Sequence, residues 1–379
     1  MSVFHKIRNE LEKPREERPL GSGWLSGSGA LLAGITSILL IVVMRYPAWF
    51  VTPEIAFLFE DGWLNIILRV VIIIGYLLAL ISLLLSKDKV LGYSALFLTV
   101  VSSLIAGTNG AVGDENVTSL YFGLDFFILN VLFVGFLFIP VEKLFPAKNK
   151  QTVFRPEWEE DMFYYLVSSM LVQVLSFLTL APANIVTSQL DLNSVHAFIV
   201  SMPFLVQLVV IMIVTDFAQY WLHRLFHRVP FLWRFHAVHH SAKSMDWLAG
   251  ARMHFIEIAT LRGVTAAPMF ILGFDPAAIQ TYILIVYFYS SFVHANVGWN
   301  FSLVERFMVT PRFHHWHHGK EKEAIDVNFS IHFPLYDRLF GTYHMPENRW
   351  PEEYGIGGDP VPRGYWKQFL YPFKKDQKN

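Results

Sequence analysis

The sequence predicts an all-α protein, a polytopic membrane helical bundle with a histidine-rich cap on the cytoplasmic side. Three observations lead there. The 379-residue chain is 54% hydrophobic and only 16% charged, well under the roughly 25% charge of a soluble domain. Its apolar residues gather into runs long enough to cross about 30 Å of hydrocarbon, which takes about 20 residues each. Thirteen of its fifteen histidines lie between His223 and His344, eight of them in three tight clusters.

Taken in order, apolar runs occupy residues 24–45, 63–86, 93–112, 122–140, 162–185 and 198–221. The first is no cleaved signal, because a charged, Pro-containing head with Lys13-Pro14-Arg15 precedes it without a small-residue cleavage site. A further apolar stretch from Phe255 to Val293 is broken by Gly273-Phe-Asp-Pro276 and reads as a helical hairpin that dips into the membrane and returns. Residues 1–150 form an N-terminal transmembrane region of about four spans, and 151–379 a catalytic domain. Arg69 and Asp125 fall inside runs and are read as a structural pair or as snorkelled ends. The last thirty residues read as an irregular tail over the globular part.

Loop charge sets the orientation, since short cytoplasmic loops are enriched in Lys and Arg. Lys6, Arg8, Lys13, Arg15 and Arg18, then Lys87 and Lys89, then Lys143, Lys148, Lys150 and Arg155 alternate with loops bearing Glu54, Glu60 and Asp61, Asp114 and Glu115, and Asp191. Six spans from a cytoplasmic N-terminus return the chain to the cytoplasm at His223, and the hairpin returns it there at His294. The third run, broken by Gly107 and Gly110, has to count as a span for this parity to hold. His196 falls on the far side and His5 in the N-terminal head, so neither is a candidate ligand. The expected location is multi-pass in a membrane, the plasma membrane in a bacterium or the endoplasmic reticulum in a eukaryote. The formal net charge of −1 gives no global field for nucleic acid.

There is no cysteine, which excludes disulfides, thiolate metal sites and a cysteine nucleophile. Histidine carries the metal chemistry alone. His223 and His227, four apart on one helix, share a face and can reach one cation. His236-Ala-Val-His239-His240 and His314-His-Trp-His317-His318 repeat the form His-x-x-His-His. In a helical turn the first two histidines of each triplet project together and the third lies about 100° round, so one triplet can serve two adjacent metals. Eight ligands are too many for one ion of about four ligands; two metals with four or five each is the natural count. His294, at the end of the hairpin, is the ninth candidate.

Around these, Asp216 continues the stripe Asp216, Tyr220, His223, His227 and is a candidate to accept from a ligand's second ring nitrogen or to relay protons; its alternative is an interfacial pair with Arg. His254 is placed near the site without binding metal, or anchoring the hairpin entry through Glu257. Asp326 and Asn328 are candidates to order the last triplet. His315 lies outside the repeated pattern and is read as a bystander; His332 and His344 are read as structural.

No His-Glu-x-x-His string or Gly-x-Ser-x-Gly elbow occurs, so a zinc-dependent hydrolase is the weaker reading. A metal carrier should hold its ligands near the midplane between spans, not beyond span ends. Many nitrogen ligands without a nucleophile suit two redox-active irons that activate O₂ against an unactivated C–H bond. A site at the membrane face predicts a lipid substrate, entering past the hairpin aromatics Tyr282, Tyr287, Phe288, Tyr289 and Phe292, whose other reading is ordinary bundle packing.

The strings His223-Arg-Leu-Phe-His227, His236-Ala-Val-His239-His240 and His314-His-Trp-His317-His318 resemble the three histidine boxes of the fatty acid hydroxylase/sterol desaturase superfamily of integral-membrane di-iron oxygenases. The resemblance covers about residues 155–345. It implies that the eight histidines ligate two irons, that His294 matches a ligand of an intermediate box, and that a lipid is hydroxylated or desaturated with O₂. Ser290 stands where some members have a histidine four residues before His294. His317-His-Gly319 followed by Ile325-Asp326-x-Asn328 is similar to the alkylglycerol monooxygenase branch, which uses a reduced pterin. No His-Pro-Gly-Gly segment like that of cytochrome b5 occurs, so electrons come from outside the chain, from a separate donor protein or a reduced pterin.

Overall fold

The computed structural model describes residues 2–51, 63–107, 124–171, 185–347, 349–358 and 360–374. The acidic loops with Glu54, Glu60, Asp61, Asp114 and Glu115, the end of the third run with Gly110, most of the fifth run and the side chain of Asp125 lie outside the described residues. The described elements are helical, and the chain divides into two compact units, residues 1–144 with 149–155 and residues 145–148 with 156–379.

In the first unit, α1 (Val3–Leu11) precedes α2 (Trp24–Arg45), α3 (Trp63–Leu85), α4 (Val90–Gly107) and α5 (Leu124–Leu144). Small residues let α2, α3 and α4 approach closely, as in membrane helix packing generally: a Cβ on Gly34 would lie 2.9 Å from Leu98, and Ala30, Ala79 and Ala95 are fully buried. Leu, Ile and Phe point outward instead, including Ile73, Leu77, Leu84 and Phe97, as suits helices solvated by lipid. Arg69 is exposed on α3. The Trp24 indole donates to the Glu10 carbonyl at 2.7 Å, and the Glu12 carboxylate accepts from the backbone of Val153 and Phe154, fastening residues 149–155 onto α1.

The second unit begins with α6 (Trp158–Met170) and α7 (Asn193–Ser201). The sixth run is interrupted at Met202-Pro203, where the proline fixes the turn into α8 (Phe204–Arg228). Helix α9 (Pro230–His240) then leads to the hairpin of α10 (Phe255–Leu272) and α11 (Pro276–His294). Each arm, at 18 and 19 residues, is long and apolar enough to cross a membrane, as are α2, α3 and α8. Gly273 makes the hairpin turn with φ 70°, a conformation open to glycine, and the Asp275 side chain caps α11 ahead of Pro276. His196 sits at this turn, its Nε2 3.0 Å from the Ile271 carbonyl.

This topology positions the site. His223 and His227 end α8, His254 caps the start of α10, and His294 ends α11, so three long apolar helices present these residues at the end opposite the Gly273 turn. Onto that end pack α9, α12 (Pro311–His317), α13 (Leu335–Phe340) and the C-terminal α14 (Tyr365–Leu370). The tail is thus partly helical, and it is fixed to the body: the Tyr164 hydroxyl donates to Gln368 at 2.8 Å, and Lys148 Nζ donates to the Pro351 carbonyl at 2.6 Å.

Candidate metal centre

Nine buried or nearly buried imidazoles meet in two groups. His223, His227, His236, His240 and His317 form one, and His239, His294, His314 and His318 the other; within each group the nearest ring nitrogens all lie within 4.8 Å of one another. Each triplet is divided between the groups, but not as the spacing suggested. The first and third histidines go together (His236 with His240, His314 with His318), and the middle one crosses to the other group. At about 100° per residue, i+4 lies about 40° from i on one side and i+3 about 60° on the other, so the i, i+4 pair is the tighter one. The expected grouping of first with second is corrected accordingly.

Tautomers follow from what each Nδ1 meets. His223 donates from Nδ1 to the Phe329 carbonyl at 2.8 Å, His317 to the Val327 carbonyl at 2.8 Å, His239 to the Arg252 carbonyl at 3.0 Å and His294 to the Ser290 carbonyl at 2.6 Å. A carbonyl can only accept, so all four rings carry their proton on Nδ1 and a lone pair on Nε2. Yet His239 and His294 bring Nε2 atoms to 3.3 Å of each other, and the His227 Nε2 is buried without any partner. Facing lone pairs in a dry interior repel unless a cation lies between them. The donor set therefore fits two metal ions, one per group. Burial, reinforced by neighbouring rings, holds His236, His239, His240, His314, His317 and His318 well below the usual imidazole value of 6.5, which keeps them in the neutral form that binds metal.

The supports around the ligands come from distant parts of the chain. Residues 326–329 alternate in direction because Asp326 and Asn328 adopt left-handed φ of 60° and 57°, which Asp and Asn tolerate better than other side chains. The Asp326 carboxylate thereby meets His227 Nδ1 at 3.3 Å while the carbonyls of Val327 and Phe329 hold His317 and His223. Asn328 turns away and donates to the Phe313 and His344 carbonyls. Asp326 thus steadies the first cluster as well as its own neighbourhood, and Asn328 fixes the start of α12. The Glu257 carboxylate, fully buried on α10, accepts from His236 Nδ1. Arg252, buried and paired with Glu157 and Asp161, presents its carbonyl to His239. Gly250 leaves room for His294, since a Cβ there would lie 2.8 Å from its Nδ1.

Two expectations are corrected. Asp216 touches no ligand ring; its oxygens accept from the backbone N–H groups of Ile331, His332 and Phe333, clamping the loop before α13. His254 does not reach a grouped ring: its Nδ1 accepts from Ile256 N at 3.1 Å as the cap of α10, its Nε2 faces the Phe369 carbonyl at 3.0 Å, and its backbone N–H donates to the Glu257 carboxylate, so it anchors the entry to the hairpin. His315 stays outside both groups, between the Tyr354 hydroxyl and the His294 carbonyl. His332 meets the Tyr282 hydroxyl at 3.1 Å and His344 packs edge-on to Trp316. Tyr289 donates to the Val309 carbonyl, so the hydroxyls of Tyr282 and Tyr289 serve packing. From the sequence Glu257 is placed only beside His254, and its contact with His236 is not foreseen, although a carboxylate inside an apolar helix is a signal in itself. The carbonyls of Arg252, Val327 and Phe329 had no such signal, being backbone atoms brought in by tertiary folding.

Residues 208–342 match the family model described as fatty acid hydroxylase, a stretch that holds all nine grouped histidines. The chain is 28% identical over 242 residues to ornithine lipid hydroxylase OlsE of Rhizobium tropici, covering 62% of this chain and 70% of that protein. It is 28% identical over 134 residues to alkylglycerol monooxygenase of Homo sapiens and 30% over 132 residues to that of Xenopus tropicalis, in both cases 35% of this chain. Only 30% and 29% of those two proteins are spanned. No solved structure matches.

Proposed function

From the match of residues 208–342 to the fatty acid hydroxylase family model, we propose that this multi-pass membrane protein is a di-iron oxidoreductase that uses O₂ to hydroxylate or desaturate a lipid chain. Its catalytic domain is residues 151–379, preceded by a transmembrane region of about four spans, and the site faces the cytoplasm. His223, His227, His236, His240 and His317 would hold one iron, and His239, His294, His314 and His318 the other. Bound there, the metals would supply the electrons that divide O₂, one atom entering the C–H bond and the other leaving as water. Of the four electrons needed, two come from the lipid and two, with two protons, from an external donor, a redox protein or a reduced pterin, which replaces those the metals would give; in desaturation both oxygen atoms leave as water.

The observation that carries this reading is the paired, all-nitrogen donor set, in which carbonyls fix the proton on Nδ1 of His223, His239, His294 and His317 and so leave the lone pair on Nε2. A five-membered group exceeds the four-coordinate habit of zinc, and no grouped residue is a carboxylate. The chain's own part is to hold the rings neutral, keep water out by burial, and place the metals at the end of three apolar helices where an acyl, alkyl or sterol carbon arrives from the lipid. The ornithine lipid hydroxylase and the alkylglycerol monooxygenases name two substrate classes for a panel.

The test incubates purified, iron-loaded protein with a reductant, ¹⁸O₂ and a panel of ornithine lipid, alkylglycerol, fatty acyl and sterol substrates. One ¹⁸O in the lipid, or O₂-dependent loss of two hydrogens, supports the proposal. Product formed without O₂ or reductant would point to a zinc-type hydrolase, and metal-loaded protein with no turnover on any of them would contradict the assignment.

A further inference from the structure

The C-terminal segment Tyr365–Phe373 breaks the ordinary rule for a surface helix. Its inner face is apolar and packed: Tyr365 lies against Phe163 and Tyr164, and Phe369 stacks on His254 with ring centroids 5.2 Å apart. Its outer face is apolar too. Trp366 and Leu370, one turn apart on α14, and Phe373 in the 3₁₀ turn that follows are 69%, 53% and 54% exposed and form an apolar outer stripe. A helix whose second face met water would carry polar residues there; here the segment offers two exposed lysines at its flanks, Lys367 and Lys374.

Position says what covers that stripe. Phe373 packs on Phe235 of α9, which packs in turn on Phe231, itself 58% exposed at the first turn after α8. The Phe369 carbonyl faces His254 Nε2 at 3.0 Å, directly before Phe255 opens α10. The stripe is therefore continuous with the places where two helices of membrane-spanning length begin and end, next to their own outward apolar residues Leu225 and Ile256. Arg234 ties the segment down by donating to the Tyr371 and Lys374 carbonyls. An amphipathic element with Trp and Phe outward, basic flanks, and a site at the end of spanning helices matches the chemistry of the headgroup–acyl boundary.

We infer that Tyr365–Phe373 is an in-plane membrane anchor whose Trp366, Leu370 and Phe373 insert into the lipid headgroup–acyl boundary, with Lys367 and Lys374 at the phosphate level. Through His254 and Phe235 it fastens the second-cluster helix α9 to the bilayer surface. This does not depend on which reaction the metals serve.

Because the chain has no cysteine, Leu370→Cys gives a single labelling site in the full-length protein. The protein is placed in nanodiscs of zwitterionic and anionic phospholipid, a nitroxide is attached, and collision with O₂, which concentrates in lipid, is compared with collision with a water-soluble nickel chelate. Lys322→Cys, on an exposed polar turn, is the aqueous reference, and Phe373→Cys repeats the reading on the same stripe should Leu370→Cys fold poorly. An O₂-to-nickel collision ratio several-fold higher at 370 and 373 than at 322 is expected. A ratio equal to that at 322 would overturn the anchor, as would protection from both reagents, which would mean that a second copy or another protein covers the stripe.

Discussion

Replacing Glu257 by Gln changes one atom in the chain and tests how the five-histidine group is held. The carboxylate and His236 are 0% and 2% exposed, and the His236 Nδ1–H is aimed at Glu257 Oε1. A hydrogen bond to an ionised acceptor is roughly twice as strong as a neutral one. Loss of such a partner behind a metal-ligating histidine typically lowers affinity about 10–100-fold, or about 1.4–2.7 kcal/mol. Only His236 among the grouped rings has this carboxylate as its partner, so the effect should fall on one group. Metal competition against a graded chelator, with content measured by plasma mass spectrometry, should show one ion per chain weakened by that factor and the other unchanged. The metal-free variant should unfold at about the same temperature, because Gln keeps the size of the side chain and the Oε2 atom has no partner to lose. Equal affinity at both positions would refute the reasoning, and a large loss of metal-free stability would make Glu257 a packing residue.

Gly250→Ala should weaken the other group, because its methyl would press on His294 Nδ1 at 2.8 Å; metal competition should show the four-histidine position loosened and the five-histidine position intact. Asn328→Ala removes three hydrogen bonds to the backbone of Phe313 and His344 and leaves alanine at φ 57°, for a loss of about 3–5 kcal/mol in thermal or denaturant unfolding. Asp216→Asn should lower the unfolding temperature while leaving metal stoichiometry unchanged, since its carboxylate meets only backbone N–H groups; loss of metal with unchanged stability would restore a role at the site. Metal-free protein should lose stability as pH falls below about 6.5. The buried rings hold values below those of the unfolded chain, His332 about 4 and His315 about 3, both through burial, so the unfolded state takes up protons first and the loss continues down to about pH 3. Unfolding temperatures that rise on acidification would contradict this.

Side-chain chemistry was far more legible in the sequence than tertiary placement. All nine candidate histidines converge in the structure, and their spacing within helical turns already restricts which faces they share. The helical hairpin could be read from Gly273 and Pro276, whose backbone limits leave little else for the chain to do there. The division of each triplet was misread because 3.6 residues per turn puts i+3 and i+4 on opposite sides of the first position. Asp216 and His254 were misplaced for a different reason: a polar residue near a ligand in sequence can be taken up by backbone N–H and C=O groups from elsewhere, here from residues 331–333 and Phe369. Asp326 showed the reverse, reaching 99 positions back to His227.

Anomalous diffraction at the iron edge from crystals of iron-loaded protein asks most directly whether separate stretches of this chain enclose a pair of cations. Two peaks are expected, one among His223, His227, His236, His240 and His317 and one among His239, His294, His314 and His318. A single peak shared by all nine rings, or iron bound away from them, would contradict it.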